Sequence, residues 1–300
     1  MGVKEILEFV KVEHTLFSLP FVLIGFLLAN FEYSTQPEDL LWILIAAVGA
    51  RGLAMALNRI IDRDIDAANP RTERRHLASG SMSMKTAYRL STVFLIMLLF
   101  SAWQLNEVAL MMAWLPVLVF VIYPYMKRIT WLCHFWLGLC LGLAPAGAWV
   151  AVAADVHGWA AITDLYWYPE IFFISLGVMF WIAAFDLNYA RMDVENDRAN
   201  GIHSFPARFG EEATTRTSIL FTLLWFACFA IADPHEIWFL AAAGLMALSN
   251  IAVILARERL AEFQTTLFRV SMLTGWVLLL ALMVSESASN ALDIWSEKNV

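Results

Sequence analysis

Two acidic clusters in this chain have residue types and spacing suited to chemistry. The first is Asn58, Asp62 and Asp66, at i, i+4 and i+8, with Asp64 between them. The second is Asp186, Tyr189, Asp193 and Asp197, at i, i+3, i+7 and i+11. Those spacings put each cluster on one helical stripe. Each stripe lies where a long apolar stretch ends, and carboxylates gathered there are unfavourable unless cations meet them. Hard oxygen donors without Cys or His suit Mg²⁺, which binds through a few carboxylates together with substrate phosphates. Basic residues stand close by: Arg71, Arg74 and Arg75 after the first stripe, Arg198 and Arg208 after the second, and Lys127 and Arg128 at a further helix end. Such groups clamp diphosphate oxygens. The bland reading is a pair of solvated helix ends, with Asp62, Asp64 and Asp66 paired to Arg59 and Arg63. The recurrence of the same device in each half of the chain argues against it.

Arg51 belongs to the same surface. It precedes Asn58 by seven residues, two helical turns deeper on one face. A guanidinium at that depth requires a buried partner or an aqueous cavity. A role in holding an anionic substrate is expected, with a structural ion pair as the alternative. His134 reads equally well as a buried hydrogen-bonding residue or as part of a cavity wall. His14, His76, His157 and His235 read as interfacial or loop residues.

The elements that must position these groups are membrane helices. The chain has 300 residues, 60% hydrophobic and only 16% charged, against about 25% charged in a soluble globular domain. Apolar stretches of roughly twenty residues, each long enough to cross a bilayer, recur throughout. Spans are predicted at 13–31, 40–61, 84–103, 107–125, 131–153, 169–190, 213–232, 236–256 and 265–285. The expected fold is all-α, a polytopic bundle of nine transmembrane helices forming one domain over 1–300. The first span is read as retained, because no small-residue cleavage site follows its long apolar run. Cys133, Cys140 and Cys228 lie in apolar helix without a CxxC pair, so they read as packing residues and not as a disulfide or zinc framework. Trp42, Trp103, Tyr123, Tyr125, Trp131, Trp167 and Tyr168 near span ends read as an aromatic belt.

Charge sets the orientation. With the amino terminus in the cytoplasm, the loops and helix ends on that side hold nearly all the Lys and Arg. The opposite loops carry Glu32, Glu38, Asp39, Glu107, Asp155, Asp164, Glu170, Asp233 and Glu236 and no Lys or Arg, while Arg51 lies within a span and Lys298 in the tail. By the positive-inside rule both acidic stripes face the cytoplasm.

These motifs resemble a known family. Arg51-Gly52, Asn58-Arg59-Ile60-Ile61-Asp62-Arg63-Asp64-Ile65-Asp66, Asn69-Pro70-Arg71-Thr72 and Arg75 resemble the first motif of the UbiA-type intramembrane polyprenyltransferases. Asp186-Leu187-Asn188-Tyr189-Ala190, Asp193, Asp197 and Gly201-Ile202-His203-Ser204 resemble the second. Tyr123-Pro124 and Lys127-Arg128 before Thr130 match a third segment. The resemblance implies that Asp62, Asp66, Asp193 and Asp197 hold Mg²⁺ and through it a polyprenyl diphosphate. Arg71, Arg75, Lys127, Arg128 and Arg198 are then expected on the diphosphate, and Arg51 and Asn58 near the acceptor, usually an aromatic ring. Asp186 is the expected base, and Tyr189 is expected to position the diphosphate or line the pocket. His134 and His203 stand where many 4-hydroxybenzoate enzymes have Gln and Lys. Lys127–His134, Gly142–Trp149 and Ser204–Gly210 resemble the branch associated with menaquinone made by the futalosine route.

The implied activity is Mg²⁺-dependent transfer of a polyprenyl group to an aromatic carboxylic acid in respiratory quinone synthesis. Its setting is a bacterial-type cytoplasmic membrane, with the bilayer as partner and no nucleic acid. The alternatives are transfer to a non-aromatic acceptor, such as a lipid glycerol or haem, and an ion-coupled transporter. Transporters place their ion sites near the bilayer midplane in broken helices, whereas these acids cluster at one surface.

The charge asymmetry predicts labelling. In a background lacking the three native cysteines, single cysteines at Ser79 and Asn200 should react only from the cytoplasmic side and one at Asp164 only from outside. Reaction of Ser79 and Asp164 positions from the same side would refute the orientation.

Overall fold

A computed structural model describes residues 2–11, 15–232 and 237–299, except the side chains of Val3 and residues 288–299. His14, Asp233, His235 and Glu236 lie outside the described residues, as does the side chain of Lys298. Among the described residues nine helices are long and apolar enough to cross a membrane: Thr15–Glu32, Pro37–Ile61, Met84–Leu105, Glu107–Ile129, Cys133–His157, Glu170–Ala199, Phe205–Ala232, Ile237–Leu255 and Phe263–Ser287. They are called the first to ninth spans below. The positions expected from sequence hold to within a few residues, save at the sixth and seventh. The sixth continues past Tyr189 through a 3₁₀ turn, Ala190–Asp193, into the short helix Val194–Ala199. The seventh starts eight residues earlier than expected, and the chain bends there at Gly210, whose φ of 81° is left-handed.

The helices pack in a ring with an inner wall. The fifth span touches the first, fourth and sixth, the second touches the third and fourth, and the sixth to ninth spans follow one another back to the first. Helices in lipid gain little from hydrophobic exclusion and associate where small residues let backbones approach. Gly25 of the first span lies against the Pro145 backbone of the fifth, and Gly138 and Gly142 of the fifth lie against the carbonyls of Met179 and Ser175 in the sixth. Gly177 seats the Phe229 ring of the seventh. A large core forms around Phe17, Phe21, Trp149, Trp181, Trp225 and Phe229. In its midst Phe17 stacks on Trp181 at 4.6 Å.

The amino terminus adds an element that hydropathy does not mark as a span. The short helix Val3–Phe9 buries Phe9 against a second core with Leu53, Ala56, Leu77, Met82 and Phe94. It ties the amino terminus to the loop behind the first acidic stripe, where His76 meets the Phe9 ring edge-on.

Close approach at Gly25 gives a direct test. Gly25→Val should destabilise the detergent-solubilised protein by about 1–3 kcal/mol through overpacking, read by thermal unfolding. Gly244→Ala, where a methyl group meets only ordinary contact with Phe226 at 3.6 Å, should be near neutral.

Candidate active site

Both stripes end their helices at the same place. Pro37–Ile61 stops with Asp62 as its cap, and the chain continues as the short helix Arg63–Ala68. The Asp66 amide still bonds the Asp62 carbonyl at 2.8 Å. The stripe therefore survives the break. The loop that follows turns back across the second stripe. Arg71 grips Asp193 with two parallel bonds, Nε to Oδ1 at 2.9 Å and Nη2 to Oδ2 at 2.5 Å, and Asn69 Nδ2 donates to Oδ1 at 2.9 Å. The two halves of the chain thus meet through a bidentate pair.

The remaining acids are also held. Asp62 is fully buried; Lys127 Nζ lies 2.5 Å from its Oδ2 and Arg128 Nη2 3.4 Å from its Oδ1. Arg128 donates to the Ile61 carbonyl at 2.5 Å as well, and Asn58 Nδ2 donates to Asp62 Oδ2 at 2.8 Å. Asp66 is buried between Arg75, at 2.6 Å, and Arg59, at 3.7 Å. Burial pushes the Asp62 carboxyl up from its ordinary range, against the pull of Lys127 and Arg128. Burial also works against the charge on Arg71, but its bonds to Asp193 prevail and raise its pKa. Asp197 is buried and has no ion-pair partner among the described residues. The donor set, four carboxylates from two helix ends, fits Mg²⁺ in chemistry. Among the described residues no three His, Cys or acidic side chains converge closely enough to hold a metal.

Beneath this lip lies a cavity of about 760 Å³. Its polar end is lined by Arg51, Asn58, Arg71, Arg75, Asp186 and Tyr189, and its apolar walls by residues such as Ala50, Phe120 and Leu141. The lining follows the second span from Asn58 to Ile43, about 22 Å of helix at 1.5 Å per residue. Arg51 Nε is buried in that wall without a hydrogen-bond partner. Tyr189 sits under the Arg71 guanidinium at 5.8 Å. Asp186 Oδ2 lies 2.7 Å from His134 Nδ1.

The structure brings together most of the residues singled out from sequence. Arg198 and Arg208 are exceptions: both are exposed and neither lines the cavity. Arg198 donates to the Ala207 carbonyl at 3.0 Å, and the Arg208 guanidinium lies 5.3 Å from the Phe209 ring centre. Tyr123 belongs to the cavity wall and not to an outer aromatic belt. His76, read as a loop residue, stands at the cavity mouth beside Glu8 at 3.9 Å. Asn69 was not singled out from sequence for its bond to Asp193. Its place in the Asn-Pro-Arg turn was the available signal, but a turn motif does not say what its side chain reaches.

An apolar cavity within a membrane bundle, beneath a lip of paired carboxylates and cations, defines a helical membrane protein with an amphiphilic internal site. Residues 18–273 match the UbiA prenyltransferase family, and the chain belongs to that family. It is 30% identical over 190 residues to the mitochondrial 4-hydroxybenzoate polyprenyltransferase of Schizosaccharomyces pombe, covering 62% of this chain and 51% of that protein. It is 28% identical over 234 residues to the 4-hydroxybenzoate octaprenyltransferase of Aliivibrio fischeri, covering 76% and 78%. The apo structure of a UbiA homologue from Aeropyrum pernix K1 matches at 29% identity with a TM-score of 0.79, over 91% of this chain and 98% of that one. A UbiA homologue from Archaeoglobus fulgidus bound to DMAPP and Mg²⁺ shares the fold, with a TM-score of 0.66 at 18% identity over 93% and 99% of the two chains.

The bidentate pair should be measurable in the ligand-free protein. A double-mutant cycle of Arg71→Ala and Asp193→Ala on thermal stability should give a coupling of about 1 kcal/mol, the upper range for a partly exposed pair. Simple additivity would show that the loop does not latch onto the sixth span.

Proposed function

We propose that this protein transfers a polyprenyl group from polyprenyl diphosphate to an aromatic carboxylic acid, 4-hydroxybenzoate or a related menaquinone precursor, in respiratory quinone synthesis. The reaction takes place at the cytoplasmic face of a bacterial-type inner membrane. The observation that carries this reading is the continuity of one cavity from a charged lip, past the unpartnered Arg51, to an apolar wall long enough for an isoprenoid tail. The names of the relatives and the DMAPP and Mg²⁺ in the Archaeoglobus fulgidus homologue support it.

Asp62, Asp66, Asp193 and Asp197 would hold Mg²⁺, which supplies Lewis acidity and neutralises charge on a diphosphate. Arg71, Arg75 and Lys127, with Arg128 behind, exchange their carboxylate partners for diphosphate oxygens and so place positive charge where the leaving group gains negative charge. The alanine-rich wall keeps water from the allylic carbon as positive charge develops there. Arg51 offers a planar fork to the acceptor's carboxylate. Asn58 and Tyr189 border the space where ring and allylic carbon meet, and Asp186 takes the ring proton. A central ion site for transport is disfavoured, because the carboxylates sit at helix ends and not at mid-span.

Asp62→Asn and Asp193→Asn should each lower prenyl transfer by well over tenfold with folded protein retained. Activity should vanish with a chelator and return with Mg²⁺. Activity within tenfold of wild type for both variants would remove the metal assignment. Arg51→Lys keeps charge but loses the fork. It should lower kcat/KM for the aromatic acid by an amount on the order of 1.5–3 kcal/mol while leaving the prenyl diphosphate KM nearly unchanged. The opposite pattern would move Arg51 into the diphosphate clamp.

A further inference from the structure

His134, the second residue of the fifth span, is almost completely buried, and both ring nitrogens are engaged. Nε2 accepts the Phe205 backbone N–H at 3.0 Å. Nδ1 lies 2.7 Å from Asp186 Oδ2. A ring nitrogen that accepts an amide proton carries none of its own, so these partners assign the ring's proton to Nδ1, which donates to the carboxylate. The segment supplying Phe205 is fixed in turn. The His203 amide donates to the Lys127 carbonyl at 2.7 Å, and the Phe205 ring meets Trp131 edge-on at 5.5 Å. The imidazole is therefore clamped from one side and aimed at Asp186 on the other.

Asp186 lines the cavity with Arg51 and Tyr123. Its hydrogen bonding among the described residues uses Oδ2 alone, which leaves Oδ1 without a hydrogen-bond partner there. A His with two satisfied bonds is often only a well-packed core residue. Here, however, it is the one described side chain that bonds the carboxylate facing the reaction space.

We propose that His134 is a positioning residue that pins Asp186 through Oδ2 and reserves Oδ1 as the base for the prenylated ring. The inference rests on the proposed aromatic prenyl transfer. The allylic C–O bond breaks and its electron pair leaves with the diphosphate. A ring carbon supplies a π pair to form the new C–C bond. The proton on that carbon passes to Asp186 Oδ1, the C–H pair restores aromaticity, and the proton then leaves to water through the cytoplasmic mouth. Without the His134 bond the carboxylate can turn, and proton loss slows while diphosphate departure does not.

The test uses the full chain in detergent with Mg²⁺, a prenyl diphosphate and 4-hydroxybenzoate, unlabelled or deuterated at the ring positions next to the hydroxyl. His134→Leu removes both bonds. His134→Gln can restore both, since its amide N–H reaches Asp186 and its carbonyl accepts from Phe205. His134→Leu should lower kcat on the order of 100-fold, the scale of a general base. It should also gain a primary isotope effect that the wild type lacks and keep the prenyl diphosphate KM within about twofold. His134→Gln should recover most of kcat and lose the isotope effect. If His134→Leu does not fold, His134→Met serves in its place. A wild type that transfers no prenyl group would overturn the functional reading, and this inference with it. An active wild type with His134→Leu near wild-type rate, a slow variant without an isotope effect, or His134→Gln no better than His134→Leu would overturn the positioning role alone.

Discussion

Carboxylates buried at the end of an apolar bundle must be met by cations, and that constraint organises this protein. Asp62 and Asp66 are nearly inaccessible, and Asp193 is largely covered. A lone buried ion would be strongly unfavourable, and breaking a buried pair leaves the other charge stranded. The partners come from separate elements: Lys127 and Arg128 from the end of the fourth span, Arg75 and Arg71 from the loop after the second. Charge compensation therefore joins the second, fourth and sixth spans at one face. The site is also the joint between the halves of the chain.

The proposed function gives the same groups two uses. In this structure these cations pair with the acids. Under that proposal a diphosphate would offer the cations a more highly charged partner and free the acids for a metal. Arg51 is different, since its Nε has no partner to release. Such a guanidinium is tolerated where it lines a cavity, and it gives the cavity a fixed anion-seeking point well below the lip. Small side chains make room for that cavity. Glycines bring the fifth span against the first and sixth, while alanines such as Ala46, Ala47, Ala50 and Ala54 leave space on the second.

The spans and both acidic stripes were legible from sequence because each is a periodic signal over many residues. The one-sided charges and the depth of Arg51 could be read in the same way. What was not legible depended on contacts between distant segments. Asn69 and Arg71 reach Asp193 across more than a hundred residues, and no local pattern reports that. Arg198 has the same composition signal as Arg71, yet it is exposed and donates to the Ala207 carbonyl, a contact no local pattern reports. Tyr123 lies near a span end as belt residues do, but its helix presents it to the cavity. The helix Val3–Phe9 is too short for a periodicity argument, and only Phe9 seated in the second core reveals its role.

The proposed function requires the lip and the cavity to act on one amphiphilic substrate. The most direct measurement offers the purified protein one labelled prenyl diphosphate with Mg²⁺ and a panel of aromatic acids and matched non-acidic phenols. Diphosphate release and ring-prenylated product should appear together, and only with acceptors bearing a carboxylate. Tight prenyl diphosphate binding with no transfer to any aromatic acid, or equal transfer to phenols without a carboxylate, would contradict it.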